Sequence, residues 1–428
     1  MGRTQNWLMA GFVGLTGVTG CVHTAKPSAN CASDPSVALA SLPMVSRPDL
    51  EPSLDMLQTL KPGVMPMQPL PGSYRGLTEA MAQTMAVQSC GLANSLEREG
   101  HVGSDGPSKW RHHAYRKHQE SEQFRRTILH LTAQDLRNRQ AGAALAAYYG
   151  LAEAEVSLER LGESAAQMQR TLTMAKDTRD RGLPLPVKYE ELLRRELDLE
   201  SNRAKSLHAI EDLNGKLRSL VGIVGESERL MPMELPMFNP APVNVDQAIH
   251  TAMTYRPDLQ LFRYLESELS TSNLGLTREL LGSVNALLGS AGAEDWKLLL
   301  LRLSEICFGD EPAEVQQRRN QIRSVRQERE RQAIAEVRTA VLDLELAMKR
   351  LAISRDKLLN QQSQEADIRK RSAQGLASFL EEANIRQEVI QTRLELSQAM
   401  MAWQRARIAL KQSQGLLVHE VPIPVLPR

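Results

Sequence analysis

Residues 374–383 read Gln374-Gly375-Leu376-Ala377-Ser378-Phe379-Leu380-Glu381-Glu382-Ala383. A glycine, an apolar residue and a serine stand between two segments that each repeat apolar residues at helical spacing. Glycine admits the left-handed backbone that ends one helix and lets the chain reverse. The same feature occurs earlier as Arg181-Gly182-Leu183, at an offset of 193 (375 − 182). Each glycine is therefore the expected tip of a helical hairpin.

Upstream of each tip the period is a heptad. Ala154, Leu158, Leu161, Ala165, Met168, Leu172 and Ala175 step by four and three, as do Ile334, Val337, Val341, Leu344, Met348 and Leu351. Charge fills the other faces, as in a packed seam of long helices. The first long helix is expected over 109–181, about 100 Å at 1.5 Å per residue. Return helices are expected over 186–222 and 378–415.

The two halves are copies of one design. Ala147/Ala340, Leu151/Leu344, Leu158/Leu351, Leu217/Leu410 and Gly222/Gly415 all pair at 193 without a gap. The starts of the halves, Leu77-Thr78-Glu79-Ala80-Met81 and Val245-Asp246-Gln247-Ala248-Ile249, align at 168 (245 − 77). The second half then carries 25 extra residues (193 − 168) between the matched blocks. The expected division is a first helical repeat over 76–222, a linker over 223–244, a second repeat over 245–415 and a tail over 416–428. Pro232, Pro236, Pro240 and Pro242 break any helix in the linker.

Composition agrees with a mainly α chain. The aromatic share is 4%, low for the strands of a large β-protein or the girdles of a conventional membrane barrel. With 52 basic and 51 acidic side chains there is no global field to draw nucleic acid.

The N-terminus reads as an export signal over 1–20. Arg3 precedes an apolar stretch, Trp7 to Thr19, too short to span a membrane comfortably. It ends in Val18-Thr19-Gly20-Cys21, which resembles a bacterial lipobox, whose cysteine is acylated. The plainer alternative is an ordinary signal peptide containing a cysteine. Acyl chains on Cys21 would anchor the mature chain stably to a membrane face, and Val22 permits the outer membrane. Residues 21–75, rich in Pro, Ser and Met, read as an extended lipidated tether. Cys31, Cys90 and Cys307 remain, an odd number with no zinc spacing and no assigned pairing.

The two tips, together with Tyr255-Arg256-Pro257-Asp258-Leu259, resemble the TolC-type outer-membrane efflux family, whose repeats start on an Arg-Pro-Asp-Leu signature. The resemblance covers about residues 76–415. It implies a homotrimer whose hairpins form a helical tunnel across the periplasm. It also implies tips that dock an adaptor leading to an inner-membrane pump. Arg181, Gly182, Leu183, Gln374, Gly375, Leu376 and Ser378 fall on the tip positions. The family narrows its pore near the tips with acidic side chains, for which Glu365 and Asp367 are the nearest candidates, although the basic run Arg369-Lys370-Arg371 lies beside them. Function would be passage rather than catalysis, with no cofactor beyond the lipid on Cys21. The alternative is a non-conducting periplasmic coiled-coil scaffold derived from the same family.

The alternative draws on a departure from the family. Each half should hold two membrane strands before its long helix. In the first half that slot, from Leu96 to His113, is short and polar. In the second, Leu280-Leu281-Gly282-Ser283-Val284 resembles the start of a strand and Trp296 to Phe308 its end. Between them Leu298-Leu299-Leu300-Leu301-Arg302-Leu303 is a run without period two, either a short buried helix, which leucine favours, or a vestigial strand. The membrane strands are thus expected to be vestigial or absent.

His101, His112, His113, His118 and His130 cluster, but no Cys or acidic set completes a metal site at suitable spacing, and a solvated polar face is expected. Trp110, Arg111, Tyr115, Arg116 and Lys117 suit either a headgroup interface or a charged helix start. No phosphate loop, nucleophile elbow or His-Glu-x-x-His motif is present, and no enzyme is expected.

Overall fold

The computed structural model describes residues 44–45, 74–101, 112–182, 188–223, 229–233, 242–284 and 311–421. The helices among them are α1 (Glu79–Gln88), α2 (Gly91–His101), α3 (His112–Asp180), α4 (Tyr189–Leu220), α5 (Val245–Tyr255), α6 (Pro257–Glu268), α7 (Leu274–Val284), α8 (Glu311–Ala373) and α9 (Phe379–Ser413). Three short strands join them: β1 (Met44–Val45), β2 (Tyr74–Leu77) and β3 (Arg229–Pro232). Cys21, Cys31, Cys307, Leu183, Trp110, Pro236, Pro240 and the 298–303 leucine run lie outside the described residues, as do the export signal and most of the expected tether.

The chain divides into two compact units. The larger comprises Pro35–Ser104, Arg126–Leu261 and Arg326–Arg428. Here α3, of 69 residues, packs against α4, and α8, of 63 residues, against α9. The heptad seams are the reason. Leu158, Met168, Leu172 and Ala175 of α3 are buried, as are Val337, Val341, Leu344 and Leu351 of α8. Ile210 and Leu217 of α4 share one apolar cluster with Tyr148 and Leu151 of α3 and with Met401 and Ile408 of α9. Leu351 and Leu358 of α8 pack with Val389, Leu396 and Met400 of α9. The four long helices therefore lie in the order α4, α3, α9, α8.

The repeat is kept to the residue along these hairpins. The long helices end at Asp180 and Ala373, and the return helices at Leu220 and Ser413, both pairs 193 apart (373 − 180, 413 − 220). The left-handed glycines are Gly182, Gly222, Gly375 and Gly415, again two pairs at that offset.

The starts of the repeats obey a different register from the sequence alignment. Thr78 and Asn244 are the N-caps of α1 and α5, 166 apart (244 − 78), and Gly91 and Pro257 open α2 and α6 at the same offset. Ala82 and Ala86 are buried, like Ala248 and Ala252. The side chains of Asn94 and Gln260 both cap a carbonyl six residues back, Gln88 O and Thr254 O, at 2.8 Å. The offset of 168 matched Ala80, which is exposed, to Ala248, which is not. The structural offset is thus 166, and the second half carries 27 extra residues (193 − 166) rather than 25.

A small sheet corrects the reading of the tether and linker as structureless. β1 pairs antiparallel with β2, and β2 pairs parallel with β3. β1 and the first residues of β2 come from the expected tether, and β3 from the expected linker. The free edge of β3 is met by one side chain: Asn214 Nδ2 donates to Leu230 O at 3.0 Å, and Leu230 N donates to Asn214 Oδ1 at 3.3 Å. A buried amide thus replaces a neighbouring strand.

The smaller unit comprises Met1–Asp34, Asp105–Arg125 and Phe262–Val325. Phe124 stacks on Tyr264 with ring centroids 5.6 Å apart. Arg278 donates to both carboxylate oxygens of Glu314, at 2.7 and 2.6 Å. Residues 280–284, which resemble the start of a strand, are instead the end of helix α7. Leu274, Thr277 and Leu281 are its buried positions. They step by three and four, so one helical face meets the core and no strand period competes.

Candidate functional site

Two features concentrate chemistry: the hairpin tips and the elbow at Arg256-Pro257-Asp258.

At the second tip α8 closes in a Schellman turn. Leu376 N donates to Arg371 O at 2.8 Å and Gly375 N to Ser372 O at 2.9 Å, with Gly375 at φ 72°. Gln374 N bonds Arg371 O at 3.1 Å. Ser378 then opens α9 with a full capping box. Glu381 N donates to Ser378 Oγ at 3.2 Å, and Ser378 N to Glu381 Oε2 at 3.0 Å. Both orphan donors of the helix start are satisfied locally. Ser372 Oγ donates to Glu382 Oε2 at 2.9 Å, tying α8 to α9 behind the turn. Gly375 has open space where a Cβ would stand, and Leu376 is 66% exposed. The tip is a rigid turn that presents an apolar side chain to solvent.

The first tip is built differently. Arg181 N donates to Asp177 O at 3.2 Å and Gly182 N to Arg179 O at 2.9 Å, with Gly182 at φ 69°. Lys188, which precedes α4, makes no side-chain cap. The Arg179 guanidinium instead covers the Tyr189 ring, 4.5 Å from its centroid. The tips meet through one side chain: Phe379, first in α9, packs on the cluster of Met168, Leu172, Ala175 and Leu192. Sequence reasoning named the turn residues and missed Phe379 and Tyr189, although both are large apolar residues at the first position of a return helix.

The candidate constriction residues sit one to two turns back on α8. Glu365 Oε1 is 2.8 Å from Arg369 and 4.0 Å from Arg386, so its charge is balanced. Asp367 is exposed, with Lys370 at 3.9 Å. Of the five clustered histidines, His130 has a described side chain. Its Nδ1 lies 3.2 Å from Glu97 and its Nε2 2.9 Å from Gln134. Among the described residues no group of three His, Cys, Asp or Glu is arranged to hold a metal ion. None of the described helices is long and apolar enough to cross a membrane.

The elbow is the densest ionic cluster. Arg256 donates bidentately to Asp258, and its Nη1 reaches Glu336 Oε2 at 2.5 Å and Ser413 O at 3.2 Å. Arg329 Nε donates to Asp258 Oδ2 at 2.8 Å, and its Nη1 to Glu336 Oε1 at 3.0 Å. Burial would raise the Asp258 carboxyl, but the Arg256 and Arg329 guanidiniums hold it below its ordinary value. In the first repeat the same place is apolar: Cys90, Ala93 and Ala133 form a cluster with Leu96 and Leu136. The Arg-Pro-Asp-Leu signature is therefore a structural clasp. It fastens the α5–α6 elbow to α8 and caps the C-terminus of α9. Arg329 and Glu336 were not read from the sequence; their spacing of seven on one helix face was the available signal.

Three solved structures share this fold. The Campylobacter jejuni CmeC outer membrane channel matches with a TM-score of 0.57 at 10% identity, over 79% of this chain and 85% of that one. The Neisseria gonorrhoeae MtrE outer membrane channel, in its open state, matches at 0.54 and 11% identity, over 79% and 88%. CusC, a transmembrane channel, matches at 0.52 and 15% identity, over 70% and 73%. No protein-family model matches the sequence, and no curated protein matches it.

Proposed function

We propose that this chain, which has the long-helix fold of TolC-type outer-membrane channels, is an efflux or export component of the outer membrane. In this reading Cys21 carries the lipid anchor and the hairpins cross the periplasm as part of a homotrimeric helical tunnel. The tips around Gly182 and Gly375 dock an adaptor that leads to an inner-membrane pump. The observation that carries the reading is the pair of left-handed glycine tips at equivalent positions of two adjoining hairpins. A docking surface for a partner needs a rigid, exposed turn with an apolar anchor, and Leu376 supplies one. The test is Gly375→Val. Its side chain meets no atom within 4 Å but strains a backbone at φ 72°. Adaptor binding, measured by co-purification from cross-linked cells, should fall while the helical signal stays. Unchanged adaptor recovery would count against the reading.

A second reading is favoured by α7, a helix where the resemblance expects the start of a membrane strand. The chain would then be a periplasmic scaffold that keeps the hairpins without conducting. Export of Cys21→Ser behind a conventional signal separates the two. A variant that still needs detergent for extraction supports a pore. A variant soluble without detergent supports the scaffold.

A further inference from the structure

The repeat offset of 193 relates helix faces that have different fates. On α3, Tyr149 and Arg160 are buried, and Glu153 pairs with Arg405 of α9. The equivalents on α8 are Leu342, Leu346 and Ile353 (149 + 193, 153 + 193, 160 + 193), and these are 64%, 46% and 67% exposed. The return helices show the converse. Ser397 and Met401 of α9 are buried, whereas their equivalents on α4, Ala204 and His208 (397 − 193, 401 − 193), are half-buried or more exposed in kind: both carry exposed surfaces. Asp212, the equivalent of Arg405 (405 − 193), is exposed as well. The chain thus makes the contact between a long helix and the other hairpin's return helix once, as α3 on α9. It leaves one matching half of that contact open on each outer helix, α8 and α4.

We propose that the open face of α8 packs on the open face of α4 from a second copy, in the geometry of the α3–α9 contact. The proposal rests on the assembly reading above and deepens it by naming the surface. The apolar stripe of Leu342, Leu346 and Ile353 would otherwise face water along three turns of one helix. Each copy offers one α8 face and one α4 face, so the contact is head-to-tail. Such an interface closes into a ring when the rotation between copies permits. It uses helices alone, so the ring does not depend on membrane strands.

The test uses the full chain in mild detergent, with mass measured by light scattering. Wild type is expected at a multiple of the chain mass. Leu346→Asp combined with Ile353→Asp should drop to one chain with unchanged helical circular dichroism, because both side chains are exposed within a copy. Leu376→Asp, at the exposed tip, should keep the wild-type mass. A wild type of single-chain mass, or a double-Asp variant that keeps the multiple, overturns the proposal. The partner helix is identified by Leu346→Cys with Asp212→Cys and a short bismaleimide. A ladder of linked chains beyond that of either single variant is expected; an oligomer without it overturns α4 as the partner. Neither readout involves transport. A chain that forms the ring yet exports nothing would sink the channel reading and leave this one standing, and the converse result would do the reverse.

Discussion

Arg256 and Asp258 grip each other across the elbow between α5 and α6, Nε to Oδ1 at 3.0 Å and Nη2 to Oδ2 at 2.9 Å. Pro257 between them opens α6, where its missing N–H costs nothing. Two residues apart in sequence, they close a clasp that also holds α8 through Arg329 and Glu336 and the end of α9 through Ser413 O.

Asp258→Asn should therefore destabilise the chain by about 3 kcal/mol, since breaking a buried ion pair strands its partners. The folded Asp258 carboxyl lies below its ordinary value. Its contribution is present above the unfolded carboxylate range and is lost as pH falls through it. Chemical denaturation of wild type and variant should show a gap at pH 7 that narrows below pH about 4. A gap independent of pH would contradict the ionic account.

Glu97 makes a second pH-dependent tie, from α2 to α3. Burial pushes its carboxyl up, but the hydrogen bonds from His130 and Arg137 and the Arg137 charge bring it to about 2. Arg137 is buried and donates to Glu97 at 2.6 and 2.7 Å and to Asn94 at 2.8 Å. Glu97→Gln should lose about 2 kcal/mol near neutrality. Because the folded value is depressed, this difference should hold above pH about 5 and shrink as pH falls toward 2. Thermal melts across that range check it.

Gly415 and Gly375 share a left-handed backbone and differ in surroundings. A Cβ on Gly415 would stand 2.8 Å from Arg256 Cα and 3.0 Å from Tyr255 O, whereas one on Gly375 meets nothing within 4 Å. Gly375→Ala should cost about 1–2 kcal/mol from backbone strain alone. Gly415→Ala should cost about 1–3 kcal/mol more, because the elbow must move. Equal costs in urea titrations would show that the elbow is not tightly seated.

Asn214→Ala removes both bonds to Leu230 at the edge of β3. Leaving a buried backbone pair unmet should cost about 2 kcal/mol. Hydrogen exchange at the Leu230 amide should rise more than at amides of α8. Unchanged protection there would mean that another group closes the edge.

The hairpins and their tips were legible because helix signals are local. A heptad seam such as Val337, Val341 and Leu344, a glycine at its end and a serine cap at Ser378 each act within one or two turns. The offset of 193 was readable for the same reason, since paired helices repeat side chains of like size. The start register was misread by two residues because helices as short as α1 and α5 hold few apolar positions, and burial of Ala82 rather than Ala80 is decided by what packs on them. Strand pairing of β1, β2 and β3 joins residues far apart in sequence, with too few side chains to leave a period. The clasp of Arg256, Asp258, Arg329 and Glu336 likewise joins three helices. The amino-acid sequence by itself determined the helices, their duplication and their reversal at Gly182 and Gly375, through local backbone and periodicity rules. Only the tertiary structure decided the register of the repeat starts, the sheet, the clasp and the uncovered face of α8, because each depends on which distant side chains share a contact.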